Sequence, residues 1–516
     1  MADVDIVGQI PAYLSGRQIF AVLPSWLQAD LASLWRELGG EVYLAGGVVR
    51  DLLLGVTPAD IDLTVPRGAK IWAEKLVART GGAYVDLGRV EDAARVVSRQ
   101  VTVDFSAFRQ GTATILADLT LRDLTVNGLG IRIDPLLADR DGTAEMIIPV
   151  LDPTGGREDL ARRRIRVTGP ESFRSDPLRL LRVFRFAASL GFTVEEETLA
   201  LVGRQCGLVV ASAPERIAHE LDLAMASAHG HAAFAVMAAT GLLWEVIPEL
   251  AAGAGMAQPK SHHLDVWQHN LETLRQMERI VEAPLAYFSE CGEAMVSYLG
   301  GNRQRLRLKW AALLHDLGKP ATCAIRDDKG GRITFYNHDL VGARLFCAFA
   351  RRLRWSNEDT ERVAQLIAGH MRPFHLANVV RGGNLTLRAG IRMVRKAGAD
   401  LPGFFLLSMA DALAGQGVER IAGMERELVD LFLHLEKVRA DHVEPVQSGP
   451  PLLTGKDLIE IFQLRPGPEF KEILGAVEEA RMEGTVTDYA GALQLAEKII
   501  KSNPVVTDGE EGANDA

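Results

Sequence analysis

Residues Glu41 to Val65, EVYLAGGVVRDLLLGVTPADIDLTV, decide how the rest of the chain is read. Val42, Tyr43 and Leu44 predict a short buried strand that ends at the pair Gly46-Gly47. A short helix is expected next, with Val49, Leu52 and Leu53 turned inward and Gly55 closing it. Pro58 then turns the chain into a second strand carrying Asp60 and Asp62. Residues two apart on a strand share a face and lie roughly 7 Å apart. Two cations about 3.5–4 Å apart, as in two-metal phosphoryl transfer, fit between such carboxylates and substrate oxygens. The paired glycines let the backbone approach a phosphate chain where the free N–H groups of a helix start favour anions. Alone, Asp-x-Asp is equally compatible with a solvated turn, and Gly-Gly is weaker still. Together, with Arg50-Asp51 between them in a strand–turn–helix–strand frame, they point to a site.

At these residues the chain resembles the DNA polymerase β-like nucleotidyltransferases. More narrowly, GGVVRDLLLG with DID resembles the class II tRNA nucleotidyltransferase/poly(A) polymerase family. The resemblance implies an α+β chain: a polymerase β-like head of mixed sheet and helices, then an all-α neck and body. It implies Mg²⁺ held by Asp60 and Asp62, with Asp104, in the strand-like QVTVDF, as the third catalytic carboxylate. On residues alone, Asp104 is also readable as an edge-strand aspartate. Gly46, Gly47, Arg50 and Asp51 are the residues expected on the triphosphate.

The 516 residues leave room for three or four domains of roughly 150 residues each. Apolar residues at 47% and charged ones at 24% are ordinary for a soluble globular chain. No apolar run is long enough to span a bilayer, and MADVDIVGQI lacks the basic flank and apolar core of a secretory signal. Cys206, Cys291, Cys323 and Cys347 show no C-x-x-C spacing, so buried thiols in a reducing cytoplasm are expected. A net charge of −10 excludes a generally basic nucleic-acid binder. Charge is concentrated locally: residues 157–185 hold nine arginines against four acids. Arginine binds phosphate bidentately and stacks on bases, so this stretch reads as recognition, with a solvated helix face as the alternative.

Residues 1–40 read as a helical extension packed on the head. Leu121-Arg122-Asp123-Leu124-Thr125-Val126-Asn127-Gly128 is close to the family's RRD-[FL]-T-[IV]-N-A pattern, with Leu121 where arginine is usual and Gly128 where alanine is. There Arg122, Asp123 and Asn127 are expected on the nucleotide, the arginine neutralising phosphate charge and the asparagine bonding without adding any. Asp152 to Leu160 matches the D-P-x-x-G-x-x-D-L connector, the hinge after the sheet domain. Asp176 and Arg179, three apart and hence expected on one helical face, resemble the family's E-D-x-x-R motif, which selects the incoming base; Ser175 replaces its glutamate. Arg182 and Arg185 continue that face, and Pro214-Glu215-Arg216-Ile217 with Glu220 resembles the helical motif packed beneath it.

A second constellation spans residues 262–411. His269, His315-Asp316, His338, His370 and Asp411 each sit on or beside an apolar helical stretch. Helices could aim all six at one or two ions, and imidazole with carboxylate suits Mn, Ni, Co, Fe, Zn or Mg. A single such histidine is more often a core residue. The order H…HD…H…H…D resembles the HD phosphohydrolase superfamily, in which metal-dependent phosphodiesterase and phosphatase activity is implied. His262, His263 and Asp265 read equally as substrate-positioning or loop residues.

The expected organisation is therefore an extension (1–40), a nucleotidyltransferase head (41–165), a helical neck and body (166–255), an HD domain (256–445), a helical RNA-contact segment (446–502) and a disordered tail (503–516). The implied reaction joins a tRNA 3′-hydroxyl to the α-phosphate of CTP or ATP, building or repairing the CCA end. Only QGTATILA separates Arg109 from Asp118, shorter than in full CCA-adding relatives, which raises restriction to CC-addition. The alternatives are a poly(A) polymerase, or an HD metal phosphohydrolase whose head is an RNA-binding scaffold. The partners expected are tRNA, CTP and ATP, with no membrane; oligomeric state is not legible.

Overall fold

In a computed structural model describing residues 10–88, 92–138, 143–329, 331–383 and 385–502, the first unit is built on eight strands. They are β1 (Tyr13–Ser15), β2 (Tyr43–Ala45), β3 (Asp60–Val65), β4 (Ala83–Asp86), β5 (Ala93–Ser98), β6 (Val101–Ala107), β7 (Gly130–Arg132) and β8 (Ile147–Leu151). Their order is β1-β8-β7-β2-β3-β6-β5-β4. Ile61, Leu63 and Val65 alternate with Asp60 and Asp62, so β3 buries one face and offers two carboxylates on the other. β3 runs parallel to β6 and antiparallel to β2, making the sheet mixed. Helix α1 (Ala69–Thr80) lies in the β3–β6 connection and packs on β5 and β6, its buried Trp72 stacked on Phe105 with ring centroids 6.4 Å apart.

Two local features differ from the sequence reading. Residues 1–40 are not purely helical, because Tyr13–Ser15 pairs antiparallel with β8 at the sheet edge; three residues are too few to show a strand's alternation. The stretch Arg95 to Phe108, whose alternation in the sequence reads as strand throughout, is two strands folded at Arg99 and Gln100, whose φ angles are +49° and +65°. That turn geometry normally recruits Asn or Gly, so its composition gave no signal.

After the sheet the chain is helical. Helix Arg179–Leu190 buries Leu180, Leu181, Val183 and Phe184 against helices Pro214–Ala226 and Gly230–Ala239. The chain divides into two compact units: Met1–Pro248 with Arg352–Trp355, and Glu249–Arg351 with Ser356–Ala516. In the second, helices Val266–Glu282, Asn302–Leu314 and Leu401–Ala414 pack on one another. Its last part is three helices, Gly455–Glu460, Pro468–Met482 and Tyr489–Ser502, around Leu458, Ile473, Val477, Ala492 and Ala496. The last two follow Pro466-Gly467-Pro468, where the sequence predicts two amphipathic helices, and the short Gly455–Glu460 precedes it. The tail read as disordered, 503–516, lies outside the described residues. No helix among the described residues is long and apolar enough to cross a membrane. The α+β expectation, a mixed-sheet head followed by helices, holds.

Candidate active sites

In the first unit a cavity of about 950 Å³ is lined by Asp60, Asp62 and Asp104 together with Gly46, Gly47 and Arg50. Parallel pairing sets Asp62 directly beside Asp104, and antiparallel pairing sets Arg95 beside Asp104. Arg95 Nε and Nη2 donate to the two oxygens of Asp104, both at 2.8 Å. Gly46 holds φ +93°, and a Cβ there would come within 2.5 Å of Arg122 Nη1 and 3.4 Å of Asp62 Oδ2. Only glycine tolerates both the backbone angle and that approach. Desolvation, opposed by Arg122 but reinforced by Asp104 and Asp60, raises the Asp62 carboxyl to about 6. Three clustered carboxylates, one of them with a raised proton affinity, are a hard-oxygen donor set suited to a divalent cation. A proton therefore competes with metal at Asp62 as pH falls. The divalent-metal concentration giving half-maximal activity should rise about tenfold between pH 7.5 and pH 5, as activity titrations at fixed ionic strength would show.

Beside the carboxylates a hydrogen-bonded chain ties three helices together. Arg50 Nε donates to Asp51 (2.8 Å) and its Nη1 to Asn127 Oδ1 (2.6 Å). Asn127 Nδ2 donates to Asp123 (3.1 Å), which also accepts from Arg182 Nε at 2.7 Å. Arg182 and Arg185 both donate to Glu220, at 3.2 and 3.0 Å. Asp123 is buried, yet Arg182, Asn127 and the Leu124 amide hold its carboxyl well below the usual range. Arg122 donates to Thr64 at 3.1 Å; burial and then Arg109 pull its guanidinium down to about 10, leaving it charged at neutral pH.

Of the residues expected at this site, Asp51 alone does not line the cavity; it pairs with Arg50. Asp176 and Arg179 both line it and are joined by a turn in which the Arg179 amide donates to the Asp176 carbonyl at 3.0 Å. Asp176 is extended (φ −148°), upstream of the helix that starts at Arg179, and accepts from Arg216 at 3.2 Å. Arg179 donates to Ser172 Oγ and the Leu121 carbonyl, both at 2.9 Å. Pro177 explains the offset, since it disfavours helical backbone at the residue before it. The arginine-rich stretch is also largely engaged internally. Arg164 and Arg166 pair with buried Asp159, Arg182 and Arg185 with Glu220, and Arg162 with Glu158.

Sequence reasoning missed Arg95 and Phe186, which line the same cavity. Recognising the turn at Arg99-Gln100 would have placed Arg95 opposite Asp104. The interval after Arg109 is a clasp: Asp118, fully buried, accepts from the Arg109 amide (2.7 Å) and guanidinium (2.9 Å).

In the second unit all six expected ligands converge. His315 and His370 directly follow the ends of their helices, His338 begins one, and His269 and Asp411 lie within theirs. His315, His338 and His370 each donate Nδ1–H to the carbonyl three residues back, at 2.9, 2.7 and 2.7 Å. In the neutral form of each ring Nε2 is then the lone-pair atom, the orientation metal-ligating histidines take. His338 Nε2 and His370 Nε2 face each other at 3.2 Å, close enough for both to reach one cation. Asp316 Oδ2 lies 3.2 Å from His315 and 3.7 Å from His269; its Oδ1 lies 3.3 Å from His338 and 3.8 Å from His370. Asp411 accepts from His269 Nε2 at 3.0 Å. Despite burial, His315 and Lys319 hold the Asp316 carboxyl well below its usual range. Gly318 makes the geometry possible, because a Cβ there would sit 2.1 Å from the His338 carbonyl oxygen. His262, read as positioning or loop, stands edge-on to His269 with ring centroids 4.6 Å apart. Asp316, His338 and Asp411, with His262, open onto a cavity of about 760 Å³ lined also by Lys319, Arg332, Phe335 and Tyr336.

A carboxylate row on a mixed sheet beside clustered arginines defines a nucleotidyltransferase head, and the buried His/Asp cluster defines an HD-type centre. Residues 42–166 match the family described as "Poly A polymerase head domain" and 266–414 the "HD domain". Residues 191–253 match the "Probable RNA and SrmB- binding site of polymerase A". The A-adding tRNA nucleotidyltransferase of Deinococcus radiodurans is 34% identical over 466 residues, 89% of this chain and 96% of its own. The CC-adding tRNA nucleotidyltransferase of Thermus thermophilus is 32% identical over 86% of this chain and 91% of its own. Among solved structures, a CCA-adding enzyme in complex with ATP superposes with TM-score 0.60 at 18% identity, covering 98% of this chain and 100% of that one. The chain belongs to the tRNA nucleotidyltransferase/poly(A) polymerase family and carries an HD domain. It is a nucleotidyltransferase, and both of its centres depend on divalent metal.

Proposed function

We propose that this protein extends the 3′ end of tRNA one nucleotide at a time from CTP or ATP, releasing pyrophosphate, in the cytoplasm. The observation that carries this reading is the convergence of Asp60, Asp62 and Asp104 with Gly46, Gly47 and Arg50 on one cavity. Mg²⁺ fits these oxygen donors, and two bound ions would activate the attacking 3′-oxygen and stabilise charge on the leaving group. Asp104 joins that donor set by giving up an Arg95 hydrogen bond, so Arg95 holds the third carboxylate in register until then. Arg50 and Arg122 neutralise phosphate charge, and Asn127 orients Arg50. Asp176 reads the base after releasing Arg216, with Arg179 as the neighbouring donor.

The short interval between Arg109 and Asp118, closed by their own ion pair, supports partial rather than full CCA synthesis, with CC-addition the preferred form. A second reading, addition of the terminal A alone, is favoured by the likeness to the Deinococcus radiodurans protein, whose name describes A-addition. Primer extension decides between them. On tRNA lacking CCA we expect two C residues from CTP and no further growth when ATP is added. Growth only on tRNA already ending in CC would establish A-addition. A complete CCA end would reject partial synthesis, and a long A run on any RNA would identify a poly(A) polymerase.

For the second unit we propose a phosphohydrolase centre in which Asp316 would hold up to two divalent ions together with His269, His315 and Asp411 on one side and His338 and His370 on the other, and the metal when bound would activate water for attack on a phosphate ester. Mn, Ni, Co, Fe and Mg all suit this mixed imidazole–carboxylate set.

A further inference from the structure

Three guanidinium groups meet at one aromatic ring beside the carboxylate row. Arg185 Cζ lies 3.6 Å from the centroid of Phe186, Arg50 Cζ 5.1 Å and Arg182 Cζ 5.2 Å. Arg182 and Arg185 come from the same helix as Phe186, whereas Arg50 comes from helix Gly47–Leu53, which begins at the second glycine of the pair. Three cations drawn so close repel one another. Asp123 and Glu220 hold the edges of Arg182 and Arg185, but neither carboxylate touches Arg50. What the three arginines share is the electron-rich ring, whose quadrupole attracts cations. Phe186 is only 6% exposed, so it has no free face on which to stack an incoming base.

We propose that Phe186 is a positioning residue for nucleotide binding: its ring gathers Arg50, Arg182 and Arg185 into one anion-binding cluster matched to a polyphosphate. This rests on the reading above that Arg50 holds the triphosphate. The ring acts through the arginines, so its contribution scales with phosphate charge and is absent for a single phosphate.

The test replaces Phe186 with phenylalanines of increasing ring fluorination, which keep its shape while draining the quadrupole, alongside Phe186→Leu and Phe186→Tyr. Equilibrium binding is measured on the full-length protein for CTP and ATP, with CMP and AMP as controls, and each variant's thermal melt is recorded. CTP or ATP affinity is expected to fall progressively, reaching roughly tenfold at trifluorination. CMP and AMP binding and the melting temperature stay near wild type, and Phe186→Tyr retains triphosphate binding. Indifference to fluorination while Phe186→Leu weakens binding would reduce the ring to packing and overturn the proposal. Equal losses for mono- and triphosphates would overturn it as well. Arg50→Ala separates the layers. If that variant binds triphosphate normally, the site reading beneath the proposal fails. If it binds weakly while fluorination has no effect, only the role given to Phe186 fails. The fluorinated series is isosteric, so the test survives even if Phe186→Leu does not fold.

Discussion

Asp62→Ala is expected to lower nucleotide incorporation into tRNA by at least about 10³-fold, since a catalytic cation stabilises the transition state by several kcal/mol and each 1.4 kcal/mol is tenfold. Asp62 is chosen because it touches every part of the site. It lies beside Asp104 across the β3–β6 pair, close under Gly46, and within the field of Arg122. The same position carries a second signature, in stability. A carboxyl whose pKa is raised on folding, here to about 6, favours the folded state at low pH and opposes it once pH passes the folded value. Metal-free Asp62→Asn should therefore melt higher than wild type at pH 7.5, and that gain should vanish near pH 4, about the unfolded pKa. Radiolabelled CTP incorporation and paired melts in chelator make the two measurements. Incorporation above a tenth of wild type would remove Asp62 from the metal set. A destabilised variant at pH 7.5 would mean that Asp62 is structural.

Asp316→Ala is expected to abolish phosphohydrolysis in the second unit, again by about 10³-fold, and to empty the centre of metal. Its two oxygens face different histidine pairs, so one substitution removes a ligand from both proposed ions. Elemental analysis of the purified protein should give close to two metals per wild-type chain and fewer than one in the variant. Nucleotide incorporation should remain within twofold of wild type, as should hydrolysis in Asp62→Ala. Joint loss of both activities in either variant would defeat the claim of two independent centres. Asp316→Asn, which keeps the side-chain volume among packed helices, guards against misfolding as the explanation.

The comparison of sequence with structure is clearest in the two centres. Both were legible as inventories. A strand's period of two made Asp60 and Asp62 one face, and the six His and Asp side chains were each marked by a neighbouring apolar helical run. Partnerships were not legible. Arg95 as the clamp on Asp104 required a turn without glycine or asparagine. Asp176 and Arg179, three apart, were read as one helical face, and Pro177 displaced one of them. The nine arginines of residues 157–185 were read as recognition, and most found carboxylates at home.

By itself the sequence determined the chemistry on offer: which oxygens, imidazoles and guanidinium groups the chain possesses, their order, and the local period that turns each toward a core or away from it. Those are properties of covalent structure and of a few consecutive dihedral angles. The tertiary structure decided which groups meet, because Arg50 reaches Asn127 across 77 positions and His269 reaches Asp411 across 142. Contacts over such separations are set by how whole elements pack, and no short window of residues encodes them.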